Sequence, residues 1–137
     1  MKRTALLILA VSVFFMAAGL CVAEDVFTPP VGSAERKAIL NTLRVEIRDN
    51  FDLEVAFVVK WLKVKDGWAW VETEPQSCDG KNRYEPFLAL LEKREGIWII
   101  VEIPSLEEDS SPVDDDYFGR LLEKFPGLPG DIFPREK

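Results

Sequence analysis

Three tryptophans in the middle of the chain could form a binding surface for a ligand that stacks on aromatic rings. Trp61 lies in one apolar segment, and Trp68 and Trp70 lie two residues apart in the next. Residues two apart on a β-strand point to the same face of a sheet, so Trp68 and Trp70 would act together. Exposed indole rings could stack on a sugar or a peptide. Buried rings, the commoner case, would instead fill the core between helix and sheet.

Cys78 is a candidate redox residue. It lies in a polar loop beside the turn pair Asp79-Gly80, which favours exposure of the thiol. In an oxidising compartment a lone thiol could link two chains, react with a redox partner or simply be buried. Because no general base lies next to it in sequence, the functional alternatives are a redox role and a dimer linked through Cys78.

The acidic segment at residues 107–116 raises the question of a calcium site. Asp114, Asp116 and Gly119 match positions 1, 3 and 6 of a calcium-binding loop. Phe125, however, stands at position 12, where such a loop needs a bidentate glutamate. We therefore predict no metal site, with a looser calcium site over residues 107–116 as the alternative. We interpret the segment as a linker whose carboxylates precede a helix N-terminus, where negative charge is favourable.

The chain contains no histidine, the commonest general base and metal ligand near neutral pH. Ser-His-Asp and Cys-His sites are thereby excluded, and no P-loop, GxGxxG or GxSxG motif occurs. Carboxylates could still support acid–base chemistry in a cleft, and Glu72, Glu74 and Glu102 lie on predicted strands. Their spacing singles out no pair, so we predict no catalytic residue and no cofactor.

The first 23 residues have the layout of a secretory signal peptide. Lys2 and Arg3 precede an apolar run at residues 5–20, and Cys21-Val22-Ala23 offers small side chains before a cut after Ala23. The run is shorter than a comfortable bilayer span, so we expect no stable membrane insertion once the leader is removed. Lipidation at Cys21 is a minor alternative. The predicted location is the periplasm or the extracellular space.

The composition of the chain after the leader limits the classes of partner that it could bind. Removing residues 1–23 takes two of the 17 basic and none of the 24 acidic residues, which leaves a net charge of −9. Such a surface argues against nucleic acid, whose phosphates need basic residues. The remaining length suits one domain, which we place at residues 33–137 after an extended arm at residues 24–32 that contains Pro29-Pro30.

Apolar periodicity predicts an amphipathic helix followed by a sheet. In residues 34–49, Ile39, Leu40, Leu43 and Ile47 fall on one helical face, and Ser33 suits the N-cap. Alternating or apolar runs, separated by Asp66-Gly67 and Glu95-Gly96 turns, then predict four antiparallel strands. The predicted strands are residues 53–65, 68–74, 87–93 and 97–103.

Simple alternation also predicts which residues of the first strand share a face. Leu53, Val55, Phe57, Val59 and Trp61 would lie on one side, and Ala56, Val58, Leu62 and Val64 on the other. A strand that is apolar on both sides predicts a central position in the sheet.

The C-terminal part predicts a short helix at residues 116–124 and a Pro-rich tail. In that tail Phe125, Leu128, Ile132 and Phe133 would pack back on the domain. The predicted fold is therefore α+β, with the N-terminal amphipathic helix packed on a four-strand antiparallel meander.

Short strings spread along the mature chain, namely ERKAILNTLR, VAFVV, GWAWV, ALL, GIW and FPGLP, carry a resemblance. In these strings the chain resembles a group of small exported bacterial proteins of unassigned function. The likeness covers most of the mature chain and implies a shared compact domain, but the matching residues are core, turn and packing positions. The element order is also similar to cystatin-like and NTF2-like sheets, which host many functions.

Together these features predict an exported, non-catalytic domain that binds an envelope protein or a small ligand. The alternative is a small NTF2-like enzyme or ligand-binding protein that uses carboxylates in a pocket between helix and sheet. A pocket protein would show a cavity with a buried Asp or Glu among aromatic rings, whereas a partner-binding module would show a filled core and an exposed apolar patch.

Overall fold

A computed structural model describes residues 25–135 of the chain, so the predicted leader lies outside the described residues. The elements, in order, are α1 (Ala34–Phe51), β1 (Val55–Lys65), β2 (Trp68–Ser77), β3 (Phe87–Arg94), β4 (Ile97–Glu102), α2 (Asp115–Lys124) and a 3-10 turn (Gly130–Ile132). The four strands form one antiparallel sheet in the order β1-β2-β3-β4. The predicted α+β class and antiparallel sheet, with a helix before it, are confirmed.

Helix α1 begins and ends where local chemistry requires. The Ser33 hydroxyl accepts the backbone N–H of Arg36 at 3.3 Å, which satisfies one of the free donors of the first turn. At the other end Asp52 adopts a left-handed conformation (φ 53°), and its N–H closes the last turn on the Arg48 carbonyl. Ile39, Leu43 and Ile47 are buried, as the periodicity predicted.

The two outer hairpins are closed by two-residue turns with positive φ. Asp66 and Gly67 have φ of 51° and 77°, and Glu95 and Gly96 have φ of 50° and 78°. Two successive positive φ values are typical of the type I′ turn, whose twist matches that of the flanking strands. These turns set the β1–β2 and β3–β4 registers next to each turn, and each ladder shifts by one residue farther along.

The sheet is covered on both faces. On the face we call the α1 face, helix α1 packs against small and branched side chains that include Ala69, Val71 and Ala89. On the opposite face, the α2 face, helix α2 and the C-terminal segment pack against Trp70 and Leu90. The predicted C-terminal anchors lie in this second layer: Leu128, Ile132 and Phe133 are buried and Phe125 is half-buried.

The predicted faces of β1 are wrong beyond Val59, because the strand contains a β-bulge. Val59 pairs with Thr73 and Trp61 with the next residue, Glu72, so Lys60 is an extra residue without a cross-strand partner. The α1 face therefore receives Val59 and then Leu62 and Val64, while Trp61 turns to the α2 face.

The predicted central position of β1 is also wrong, because β1 is an edge strand. Part of its outer edge is covered by the N-terminal arm. Phe27 and Val64 exchange two backbone hydrogen bonds of 3.0 and 2.8 Å, and Pro29 is fully buried. The arm thus pairs with the outer edge of β1 at Val64.

The bulge makes a testable prediction about chain length in β1. Deletion of Lys60 should leave a regular strand, because Val59 and Trp61 already pair with consecutive residues of β2. We expect the free energy of unfolding to fall by less than about 1 kcal/mol. Deletion of Lys63, from the regular part of the strand, should place Trp61 and Leu62 on the wrong faces and cost roughly 2–5 kcal/mol. Urea unfolding followed by tryptophan fluorescence measures both, and equal losses for the two deletions would contradict this account of β1.

Candidate functional site

A groove opens at the end of the molecule where α1 and the four strands meet the loops. Its walls come from the last turns of α1, the start of β1, the end of β2, the start of β3 and the segment after β4. The volume is about 430 Å³. We call this the end groove. It lies at the end of the space between the helix and the α1 face of the sheet.

The end groove has a buried floor and an exposed apolar rim. Ile47 of α1 and Val55 of β1 lie in the floor and are almost fully buried. The rim includes Phe51, whose side chain is 64% exposed, together with Ile103 and Leu106. Large apolar side chains that remain exposed around a concavity mark a surface suited to an apolar partner or ligand.

Three proline residues line the end groove. Pro86 directly precedes β3 and Pro104 follows β4, whereas Pro75 lies within β2 and pairs with Phe57 of β1. Proline has no backbone N–H, so it does not extend a hydrogen-bonded ladder in the normal way. The loop between β2 and β3 is still held in place, because the Tyr84 N–H donates to the Pro75 carbonyl at 2.9 Å.

The groove contains few groups that could take part in proton transfer. Among its lining residues only Tyr84 and Glu85 carry a titratable side chain; Tyr84 is half-buried and Glu85 is exposed. A phenol on an otherwise apolar wall can orient a ligand by one hydrogen bond. The arrangement therefore suits binding of an apolar molecule with a single polar group.

Trp68 and Trp70 follow the buried alternative of the sequence analysis and form no open platform of paired indoles. Trp70 is fully buried, and its ring makes edge-to-face contacts with Phe118 (5.3 Å between centroids) and Phe133 (5.4 Å). Trp68 is also buried and contacts Phe125 at 5.8 Å. Both rings fill the α2-face core, because α2 and the C-terminal segment cover them.

Trp61 is half-buried and has a different role from its two neighbours. Its indole N–H donates to the Ile132 carbonyl at 2.8 Å, so it ties the C-terminal segment to β1. The Lys63 ammonium lies 5.5 Å from the centre of the ring. Alternation alone predicts the wrong face for Trp61, and this contact depends on the Lys60 bulge.

Cys78 is exposed, as its polar loop predicted. Its Sγ lies 3.8 Å from the Glu54 carbonyl oxygen, close to the start of β1, and it does not line the end groove. The predicted redox role and Cys78-linked dimer stay predictions. In the segment that precedes α2, the Asp114 carboxylate accepts the Tyr117 N–H at 3.1 Å, the N-cap role expected of that acidic run.

Glu72 is the carboxylate that the sequence analysis could not single out. It lies on the α2 face beside a small cavity of about 150 Å³ at the start of α2, with Asp114 and Asp115 in the same lining. Burial raises the pKa of Glu72 above its ordinary value. The Trp70 indole lowers the pKa of Glu72 and so partly offsets the effect of burial. The Trp70 N–H makes no hydrogen bond of ordinary geometry with a described residue.

Tyr117 lies in the same layer. Burial, reinforced by the negative charge of Glu102, raises the pKa of its hydroxyl to about 12. The Tyr117 oxygen is buried and meets no hydrogen-bond partner among the described residues. The α2 face therefore holds a half-buried carboxylate and a buried phenol among aromatic rings, which is the pattern expected of the pocket alternative, but with a cavity about a third the size of the end groove.

Within residues 25–135 no group of three or more His, Cys, Asp or Glu is arranged to hold a metal ion. Over the same residues, neither helix is long and apolar enough to cross a membrane. Comparison with protein families, with curated proteins and with solved structures finds no match to this chain.

The burial of Glu72 predicts a pH-dependent effect of one substitution. Because burial raises the pKa of Glu72, the folded chain binds this proton more tightly than the unfolded chain does. The free energy of unfolding therefore falls as pH rises above the unfolded-state pKa of about 4.3. Glu72→Gln mimics the neutral form. It should be more stable than the parent at pH 7, and this advantage should vanish at acidic pH below that value.

Glu74→Gln is the matched control, on the same strand two residues away. Its carboxylate is 42% exposed and lies 3.6 Å from the Lys60 ammonium, so the exchange should give no comparable gain at pH 7. Thermal unfolding across the pH range measures both. A Glu72→Gln advantage that is the same at pH 4 and pH 7 would contradict the assignment to carboxylate burial.

Proposed function

We propose that this chain is an exported, non-catalytic domain that binds a small, largely apolar ligand in the end groove. The observation that supports this most directly is the groove itself, about 430 Å³ with an almost wholly apolar lining. Pockets that hold small molecules commonly enclose about 300–1,000 Å³ and combine apolar walls with a few polar groups. The end groove falls within that range.

The rim supports ligand binding through the area it could remove from water. Phe51, Ile103 and Leu106 stand exposed around the opening. A bound apolar molecule would cover part of each side chain, and burial of apolar surface is favourable by about 25 cal/mol per Å². Tyr84 supplies the polar group that could fix the orientation of the ligand. Apolar side chains of an envelope protein would use the same surface, and we make that occupant an outcome of the test below.

The leader supports the exported location. A basic start, an apolar run and small residues before Glu24 are typical of a signal peptide, and they support a location of the acidic domain in the periplasm or outside the cell. An apolar ligand in that setting would be carried through water by the protein.

Glu72 favours a second candidate function. A half-buried carboxylate with a raised pKa, lying in a cavity, is a common property of acid–base sites. The alternative is therefore an NTF2-like pocket protein that uses Glu72. Its cavity of about 150 Å³ is below the usual size of a ligand site, which is why the end groove is preferred.

Export predicts a defined N-terminus. When the full chain is produced with its own leader, the protein recovered from the periplasm or medium should begin at Glu24, because Cys21 and Ala23 provide the small side chains that a cleavage site needs. Intact-mass measurement checks this. A protein recovered with residue 1 or with lipid on Cys21 would contradict the predicted cut after Ala23.

If the end groove binds an apolar ligand, one added charge at its rim should weaken the binding of an apolar probe. Leu106→Glu places a carboxylate at the groove, and the cost of desolvating it should weaken binding of N-phenyl-1-naphthylamine at least tenfold, measured by fluorescence titration. Leu122→Glu is the matched control, because Leu122 has almost the same exposure (40% against 42% for Leu106) and lies on α2, outside the groove. It should leave probe affinity within about twofold of the parent.

The same variants separate the candidate occupants. Mass spectrometry of a solvent extract of the exported protein should show an apolar molecule that is lost from Leu106→Glu and kept in Leu122→Glu. Equal probe affinity in the parent and in both variants would sink the end groove as the binding site. Probe binding lost in Leu106→Glu, with no extracted molecule and with an envelope protein released by the same variant, would replace the small ligand with a protein partner.

A further inference from the structure

The outer edge of β4 has the features of a surface on which another strand pairs. β4 is the last strand of the sheet, and within residues 25–135 no strand pairs with its outer side. Ile97 is 66% exposed and Ile99 38% exposed, on the α2 face beyond the cover of α2. An exposed, apolar edge strand is usually blunted by charge, proline or a covering segment, because its free backbone groups template further pairing. From Ile97 to Ile100, β4 has neither charge nor proline and pairs regularly with β3; the ladder is interrupted by a bulge at Val101, beyond this stretch.

The hydrogen bonds of β3 show which backbone groups of β4 point outward. The Lys93 N–H donates to the Gly67 carbonyl at 2.7 Å, so Lys93 directs its backbone groups toward the β1–β2 hairpin and away from β4. Its cross-strand partner Trp98 therefore directs its own N–H and C=O to the open edge. The Trp98 carbonyl indeed accepts the Thr42 hydroxyl of α1 at 3.3 Å. By alternation Ile100, opposite Leu91, also points its backbone groups outward.

This pattern is complementary to itself. If two copies of β4 pair antiparallel about Ile99, Trp98 of one copy lies opposite Ile100 of the other, and both residues present outward N–H and C=O groups. Each such pair can exchange both backbone hydrogen bonds, because the Trp98 carbonyl keeps a second lone pair beside the Thr42 contact. On the α2 face the exposed side chain of Ile99 would meet that of its own copy.

We propose that two copies of this chain associate through β4 to form a continuous eight-stranded antiparallel sheet. A second copy is favoured over a strand from a different protein because the edge of β4 matches itself about Ile99, in its outward backbone groups and in its exposed apolar side chains. The edge is also uncharged between Glu95 and Glu102, so two copies of this acidic chain can meet there without like charges directly opposite.

This association differs from a dimer linked through Cys78. Cys78 follows the end of β2, and β2 and its symmetry mate would lie five strand intervals apart, about 24 Å. A disulfide needs Cα atoms within about 7 Å of each other. The β4 association should therefore be unaffected by a reducing agent or by Cys78→Ser.

Sedimentation of the exported protein, produced from the full-length chain, tests the proposal. The parent should be a dimer with a micromolar dissociation constant, and Ile99→Lys should weaken it at least tenfold, because charge on an edge strand opposes pairing. Val58→Lys is the matched control: Val58 is also 38% exposed and lies on the same face of the other edge strand, β1. It should remain dimeric, with circular dichroism confirming that both variants fold. Ile97→Lys gives a second variant if Ile99→Lys does not fold.

Hydrogen–deuterium exchange tests the same edge without a substitution. In the parent, the amides of Trp98 and Ile100 should exchange faster on dilution, while the amide of Ile99, which faces β3, should stay protected at every concentration. A monomeric parent over the whole concentration range would overturn the proposal. So would a dimer broken by Val58→Lys and not by Ile99→Lys, a dimer lost on reduction, a dimer held by a co-purified protein on β4, or Trp98 and Ile100 amides whose protection does not change on dilution.

Discussion

The fold depends on the burial of β2 and β3 on both faces. The run Trp68–Val71 is buried throughout, and so is the run Leu88–Leu91. Because successive side chains of a strand point to opposite faces, both faces of the sheet must be covered. The two faces solve this differently. The α1 face presents small residues such as Ala69 and Ala89, which allow helix α1 to approach closely. The α2 face presents Trp70 and Leu90, whose bulk needs the rings of Phe118 and Phe133 between sheet and helix.

That requirement explains why the chain needs a second layer after the sheet. Trp70 is fully buried only because α2 and the C-terminal segment close over it. The segment is held by side chains that β1 sends to the α2 face: the Trp61 indole donates to the Ile132 carbonyl, and the Lys65 ammonium pairs with Asp131 at 2.8 Å. The bulge at Lys60 is what lets β1 serve both layers, because it changes the phase of alternation between Val59 and Trp61.

The sequence predicted the parts of this arrangement that depend on local chemistry. The Ser33 cap, the periodic face of α1 and the two positive-φ turns each follow from neighbouring residues, so the helix, the strands and their order were correct. The faces of β1 were wrong because alternation assumes one residue per step. Lys60, a charge between Val58 and Leu62 on an apolar side, was the available sign of an extra residue. The end groove was not predicted, because it joins residues from α1, the ends of the strands and the loops, and such convergence is set by tertiary packing.

The remaining apolar surface lies where the two covering layers end. Helix α1 ends at Phe51 because Asp52 adopts a left-handed conformation. Beyond Phe51 no part of α1 covers the strand ends that line the end groove. Pro86, directly before β3, and Pro104, two residues after β4, have no N–H with which to extend the ladders into this space. On the other face α2 leaves Ile97 and Ile99 of the outermost strand exposed. A chain of this acidity could have placed carboxylates at both positions. Apolar side chains at these positions lower the solubility of the protein and add nothing to its core. This is the physical reason to regard the end groove and the β4 edge as surfaces for binding.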